Sequence, residues 1–457
     1  MLIILFTILF LFFLLTFIIS ETDIISPPVL VTAGFLISGL FALFLVGPLW
    51  SGELSVDTLF VYTVGISAFL VGYYVIYSVV GGKSKHHSTV YEEICLGNIF
   101  IVFYIITSVM IGYLYYRTII GIVGNYGTWT EIMARYRLRS AYGNTIQATA
   151  SIPGYISVSR MFLQSGAYVL TYVLAQNWVV KRKVDKRIII ALLVDIVASM
   201  IAAQRLDVVR IPIAFMTFYF IIKKKSGDMV SSEKTRLYIR YVALGIIVLA
   251  AFAGVKSVVG RNASDIDVIS YLSKYIGGPI PLFDDFLKNP IRNKSVLGME
   301  SFWGIYNVLY SLTGNEKFLY DYTLEFRTIS GTNMGNVYSA FRMYYADFGF
   351  AGVVILPLVM GGIFAVLYSS VLQSSGRSRL SIKFIGKPVT SAIDFKLLIL
   401  GVIIHSCILM FYQDWFFAHV LEWYQIKSFI FMWLFKLIFI DLQNKKIMGN
   451  LHILSKI

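Results

Sequence analysis

Cysteine, charge and alternating patterns are all scarce in this chain. Its two cysteines in 457 residues, Cys95 and Cys407, are far apart and form no CxxC pair, which excludes a disulfide framework and a thiolate metal motif. Charged residues make up 14% of the sequence, hydrophobic residues 58%, and mean hydropathy is +0.75. So little polar surface cannot cover a soluble core of this size, so a water-soluble enzyme is excluded and a membrane protein is expected. The apolar residues run continuously instead of alternating with polar ones. In lipid such runs become helices, which satisfy their own backbone hydrogen bonds, and a β-barrel is excluded. Internal repeats, low-complexity tracts, an HExxH motif and a phosphate-cradling glycine loop are absent as well, so nothing in the sequence supports a metal or other cofactor.

What is present is a series of apolar runs. They predict about eleven spans, over 2–19, 28–50, 56–80, 95–116, 154–179, 188–204, 208–222, 238–259, 348–372, 393–413 and 425–443. The first run, MLIILFTILFLFFLLTFIIS, has no basic start and no small-x-small pattern before Glu21, and it is longer than the roughly 7–15 residues of a signal peptide core. It reads as a retained span. The expected fold is all-α, one polytopic membrane domain over 1–457.

Lysine and arginine number 39 against 25 acidic residues, a net charge of +14, and the excess sits in short loops: GGKSKHH, KRKVDKR, KKKSGDMVSSEKTR, GRSRLSIKFIGK and QNKKIMGN. These fall on one side of the spans, which the positive-inside rule makes cytoplasmic. The charge is therefore a topology signal, and no nucleic-acid partner is expected, because no aromatic-interleaved basic domain accompanies it. His86 and His87 belong to these loops and receive no role. Two long segments face the other way, 117–153 and 260–347, and the second is too long for a mere connection. The first carries Arg135, Arg137 and Arg139; the second carries a Gly277-Gly278-Pro279 break before Asp284 and Asp285. A third external point is the tight turn QRLDVVR, with Arg205 and Arg210 flanking Asp207. Within the spans lie Arg160, Asp195, Lys256, His405 and Lys436. A charge in lipid needs a partner or water, so Asp195 is expected to pair across helices, with Arg160 as one partner, while Lys256 and Lys436 snorkel to the two surfaces.

Residues 336–352 read NVYSAFRMYYADFGFAG, directly before an apolar run. With Asn336 as N-cap, Tyr338, Arg342 and Tyr345 recur at i, i+4 and i+7 on one helical face, with Phe341 and Phe348 directed to neighbouring helices and Asp347 ahead of the ninth span's positive end. By composition alone this is equally an interfacial helix with a snorkelling arginine and an aromatic belt.

The pattern N-x-Y-x-x-F-R-x-Y-Y-x-D-F-G resembles the signature of the bacterial oligosaccharide repeat-unit polymerases, the Wzy-type O-antigen and capsule polymerases. KYIGGPIPLFDDFL is similar to their Tyr-Gly-Gly segment followed by Phe-Asp, and AAQRLDVVR to their span-end arginine, although Gln204 stands where many relatives have serine. The resemblance implies a C-type glycosyltransferase fold in the bacterial inner membrane, with the site on its outer face. It also implies donor and acceptor oligosaccharides carried on undecaprenyl diphosphate, surrounding membrane lipids, and a flippase and a chain-length regulator as partners. That chemistry needs fixed positive charge for a diphosphate leaving group, a base for the acceptor hydroxyl, and aromatic walls for sugar. Arg205, Asp284 and Asp285 are the catalytic candidates, with Glu300, Asp347 and His419 as further external bases. Arg135, Arg139, Arg210, Tyr338, Arg342, Tyr345 and Asp347 are the substrate-binding candidates, with Trp303 and Tyr344 as walls. An O-antigen ligase shares the donor chemistry, and a lipid-linked-sugar transporter would also need buried charge, although such proteins often carry internal repeats.

Overall fold

The computed structural model describes residues 1–45, 50, 53–81, 89–142, 152–202, 204, 206–227, 231–254, 268–291, 296–319, 324–374 and 393–441. Arg205, Lys256, His86, His87, the loops GRSRLSIKFIGK and QNKKIMGN, and most of GGKSKHH lie outside them.

In chain order the helices are α1 (Leu2–Ile19), α2 (Pro27–Leu43), α3 (Val56–Val80), α4 (Asn98–Val123), α5 (Trp129–Tyr142), α6 (Gly154–Lys181), α7 (Lys186–Ile201), α8 (Asp207–Lys225) and α9 (Ser231–Gly254). There follow α10 (Val268–Ile276), α11 (Pro279–Lys288), α12 (Trp303–Thr313), the strands β1 (Arg327–Ile329) and β2 (Thr332–Gly335), α13 (Ala340–Phe348), α14 (Phe350–Gln373), α15 (Phe395–Ile403), α16 (His405–Ile408) and α17 (Trp423–Phe435). A π-helical stretch, Lys436–Asp441, continues α17.

Among the described residues, six helical segments are long and apolar enough to cross a membrane: Leu2–Ile19, Val56–Val80, Asn98–Val123, Glu233–Gly254, Phe350–Gln373 and Trp423–Asp441. The chain is a mostly helical membrane protein. Pro27–Leu43 is also apolar but shorter, and Phe395–Ile408 is interrupted.

The expectation of an all-helical chain needs one correction. β1 and β2 pair antiparallel, with Thr328 opposite Asn333 and Ile329 opposite Thr332. Ser330 and Gly331 take positive φ, 51° and 77°, the paired left-handed conformation a two-residue hairpin requires. Helical periodicity gives no hint of so short a ribbon.

The chain divides into two compact units. The first comprises 1–84, 265–371 and 403–426. Here α2 packs on α1, α10, α11 and α16. Its start follows from two prolines after Ser26, which lose no helical hydrogen bond in the first turn. α3 and α14 cross at glycine: a Cβ on Gly72 would lie 2.0 Å from the Leu358 carbonyl oxygen, and one on Gly361 would lie 2.2 Å from that of Phe69. Only backbone without side chain permits that approach. Tyr368 donates to Asp23 Oδ2 at 2.6 Å, fixing α14 to the turn after α1.

The second unit comprises 85–264, 372–402 and 427–457. Its centre is α6, buried without interruption from Leu163 to Asn177 and packed on α4, α7 and α8. Inside it Arg160 meets Asp195 through two hydrogen bonds of 2.5 and 3.0 Å, as expected for ions that cannot reach water. Lys436 departs from the expected snorkel: it is 3% exposed and bonds Asp441 at 3.0 Å, an intrahelical carboxylate taking the place of solvent as its partner.

Candidate functional site

In the first unit, residues far apart in sequence converge on the ring of Phe286 in α11. Arg342 of α13 places its guanidinium carbon 4.7 Å from that ring's centre, and Arg327 of β1 places its own at 5.6 Å. Tyr338 and Tyr345 bring their rings to 6.5 and 6.3 Å from Phe286 in edge contacts. Tyr338, Arg342 and Tyr345 thus meet at one ring, but not as one helical face, because Tyr338 precedes α13. Phe341 stacks on Phe35 of α2, and Phe348 meets Phe302, so both point to neighbouring elements as expected.

The N-cap assignment is corrected. Ser339, with extended backbone, precedes α13, whereas the Asn336 amide donates to the Leu324 carbonyl at 3.2 Å. The helix starts later because the backbone N–H of Ala340 is held by the Met410 carbonyl at 2.9 Å.

Both guanidiniums are met by carboxylates. Arg342 is 2% exposed; it donates to Glu300 Oε2, and to Glu325 Oε2 at 2.6 Å. Arg327 donates to Asp285 Oδ2 at 2.7 Å, to Glu325 Oε1 at 3.3 Å and to the Asn289 carbonyl at 2.8 Å. Glu325 thus joins the two arginines, although burial raises its carboxyl above the usual range. Each arginine keeps one buried Nε–H without a hydrogen bond among the described residues. Asp347 accepts from the backbone N–H of Ser301 at 2.6 Å and of Glu300 at 3.4 Å, so it holds the strip that carries Glu300. Burial raises its carboxyl, opposed by those N–H groups and by Arg342.

Asp284 is engaged elsewhere. Its Oδ1 accepts from the Ser55 N–H at 2.8 Å, the Ser55 hydroxyl at 2.5 Å and the Thr58 hydroxyl at 2.8 Å, and its Oδ2 meets Lys288 at 2.7 Å. Burial alone would raise this carboxyl, but the donors together with Lys288 hold it below the usual range. It ties α11 to the N-cap of α3, where a charge also complements the helix dipole. A carboxylate so satisfied is a poor proton acceptor.

A second arrangement in this unit is better shaped for proton transfer. His419 stacks on Trp415 at 4.7 Å, takes the edge of Trp303 at 5.6 Å, and places Nδ1 3.2 Å from Glu422 Oε2. Both partners of this dyad are 19% exposed. Trp303 can sit there because the next residue is glycine: Gly304 donates to the Ala418 carbonyl at 3.0 Å, and a Cβ would lie 2.5 Å from that oxygen. A carboxylate that orients an imidazole, flanked by two indoles, fits hydroxyl deprotonation beside a sugar ring. Glu422 was missed in the sequence, where it reads as one acid at a span entrance; its i+3 spacing from His419 was the available signal.

The remaining candidates belong to the second unit. Arg135 donates to the Tyr126 carbonyl and lies 4.2 Å over the Tyr126 ring, while Arg139 donates to the Ile122 carbonyl. Arg139 thus serves the carbonyl end of α4, a favourable place for a cation, while Arg135 holds the loop that follows it. Asp207 is 2% exposed and is held by Gln164 at 2.6 Å, Ser199 at 2.8 Å and Arg160 at 3.6 Å. The start of α8 is thus fastened by a buried ion network. Arg205 itself lies outside the described residues, and Arg210 is half-buried one turn along α8.

Among the described residues, no three His, Cys, Asp or Glu side chains converge as metal ligands. Comparison with protein-family models, curated proteins and solved structures finds no match to this chain.

Proposed function

We propose that this protein is a membrane glycosyltransferase that joins oligosaccharide repeat units carried on undecaprenyl diphosphate, in a bacterial inner membrane, with its site on the outer face. In this reading eleven spans in a C-type glycosyltransferase arrangement carry the external segments. The observation that supports it best is the convergence of Tyr338, Arg342 and Tyr345, from one motif patch, on the ring of Phe286, from the other.

Arg342 and Arg327 organise the external segment through Glu300, Glu325 and Asp285. The His419–Glu422 dyad, walled by Trp303 and Trp415, takes the proton of the acceptor hydroxyl as it attacks the donor's anomeric carbon. The carrier diphosphate leaves with the bonding pair, and the motif resemblance assigns its charge to Arg205, since a guanidinium can bind phosphate oxygens through a bidentate fork. The test is to incubate purified protein in lipid with a defined undecaprenyl diphosphate oligosaccharide. A ladder of products is expected. Transfer of a single unit to a different acceptor would favour a ligase, and movement of intact substrate across the bilayer without elongation would favour a transporter.

A further inference from the structure

Where α6 and α8 end and α9 begins, the second unit holds a pocket of about 260 Å³. Four cations line it, Arg182, Lys223, Arg236 and Arg240, against a single acid, Glu233. Lys223 pairs with Glu233 at 2.7 Å. Arg182, Arg236 and Arg240 make no ion pair or side-chain hydrogen bond among the described residues; Arg182 and Arg236 also favour the Glu233 carboxylate from a distance, but one acid against four cations leaves the concavity strongly positive. Arg182 also occupies the left-handed region, φ 55°, at the C-cap of α6. Glycine or asparagine would take that position at less cost, so the arginine stands there against local preference. The floor is aromatic, with Trp178 and Tyr219 5.4 Å apart.

The surface below the pocket has the opposite character. Arg236 and Arg240 begin a stripe of α9 that continues through Ile239, Ile246 and Ile247, which are 66%, 63% and 63% exposed. Spacings of three, four and seven keep these residues on one side of the helix. A cationic cup above an open aliphatic stripe, on a helix long and apolar enough to span, has the two halves of a phospholipid site. A free phosphate would use only the upper half.

We propose that this pocket binds the phosphodiester headgroup of an anionic membrane phospholipid, with an acyl chain lying along α9. The site is independent of the proposed glycosyl transfer. The test uses the full-length protein in neutral detergent and follows its thermal midpoint on adding phosphatidylglycerol, phosphatidylcholine or inorganic phosphate. Phosphatidylglycerol is expected to raise the midpoint saturably and the other two are not. The triple variant Arg182→Gln, Arg236→Gln, Arg240→Gln should lose most of that response, whereas Lys288→Gln, an exposed cation of the first unit, should keep it. Glu233→Gln provides a check that needs no loss of function: removing the one acid should tighten phosphatidylglycerol binding by about two- to fivefold, the scale of one exposed charge pair. An equal response to phosphatidylcholine, an equal response to inorganic phosphate, a full response in the triple variant, or weaker binding in Glu233→Gln would each overturn the proposal.

Discussion

Arg342 is the residue at which a structural and a substrate role give opposite expectations. Its guanidinium and the Glu300 carboxylate are each 2% exposed, and Glu325, its second partner, is 18% exposed. Arg342→Gln would leave Glu300 buried with no cation, and breaking a buried pair from one side typically costs about 3–5 kcal/mol, because the stranded charge must be desolvated or protonated. Glu300→Gln alone leaves Arg342 with Glu325, and should cost less. The double variant should cost clearly less than the sum of the singles, since each change removes the other's stranded charge. Equilibrium unfolding in mixed detergent, together with the elongation assay, measures both consequences. The expected outcome is that Arg342→Gln loses stability and elongation together, and that Glu300→Gln restores part of the stability. A variant within about 1 kcal/mol of the parent, the scale of exposed pairs, would refute the reasoning, and lost elongation at full stability would assign Arg342 to substrate instead.

Other outcomes follow from the same geometry. Asp414, 1% exposed, has its carboxyl pushed up to about 7 by burial, against the N–H groups of Phe416 and Phe417. The folded protein therefore holds a proton there that the unfolded chain releases near pH 4, so stability falls as pH rises from about 4 to 7 and is level above; at roughly three units the fall is about 4 kcal/mol. Asp414→Asn should remove that slope in unfolding measured from pH 4 to 8, and an unchanged slope would exclude Asp414 as its source. Asp284→Asn should cost about 1–3 kcal/mol by loosening the start of α3, while leaving elongation per folded molecule near the parent level; a selective loss of elongation would restore Asp284 as the base. His419→Ala should abolish elongation in protein of near-normal stability, and Glu422→Gln should weaken it less. Arg205→Ala should abolish polymer and Arg205→Lys rescue it poorly, because a point charge does not reproduce a fork. Reporter fusions after Gly124 and Asn293 should score as external, and those after Lys183, Lys225 and Lys387 as cytoplasmic.

Much of the helical framework was legible because lipid leaves few options. Continuous apolar runs must form helices, and the observed helices from α1 to α9 coincide with the predicted apolar runs to within a few residues at most ends, apart from α5, which lies between the fourth and fifth of them. The pairing of Asp195 with Arg160 was legible for the same reason: two charges in a greasy unit have few other partners. Chemistry in residues 260–347 was legible as residue types but less so as roles. Arg342 looked free to meet substrate because the sequence places no acid near it, yet Glu300 and Glu325 arrive from 42 and 17 positions away. Glu325 and Arg327 gave no periodic signal at all, since they flank a hairpin only a few residues long. His419 was visible and undervalued for the converse reason: an isolated imidazole means little until Trp303, more than a hundred residues earlier, is folded against it by the glycine that follows. In a chain with so few polar groups, most buried ones are held by another. The group best suited to chemistry is therefore the one left partly open, the His419–Glu422 dyad, rather than the fully bonded Asp284 or the buried guanidiniums of Arg327 and Arg342.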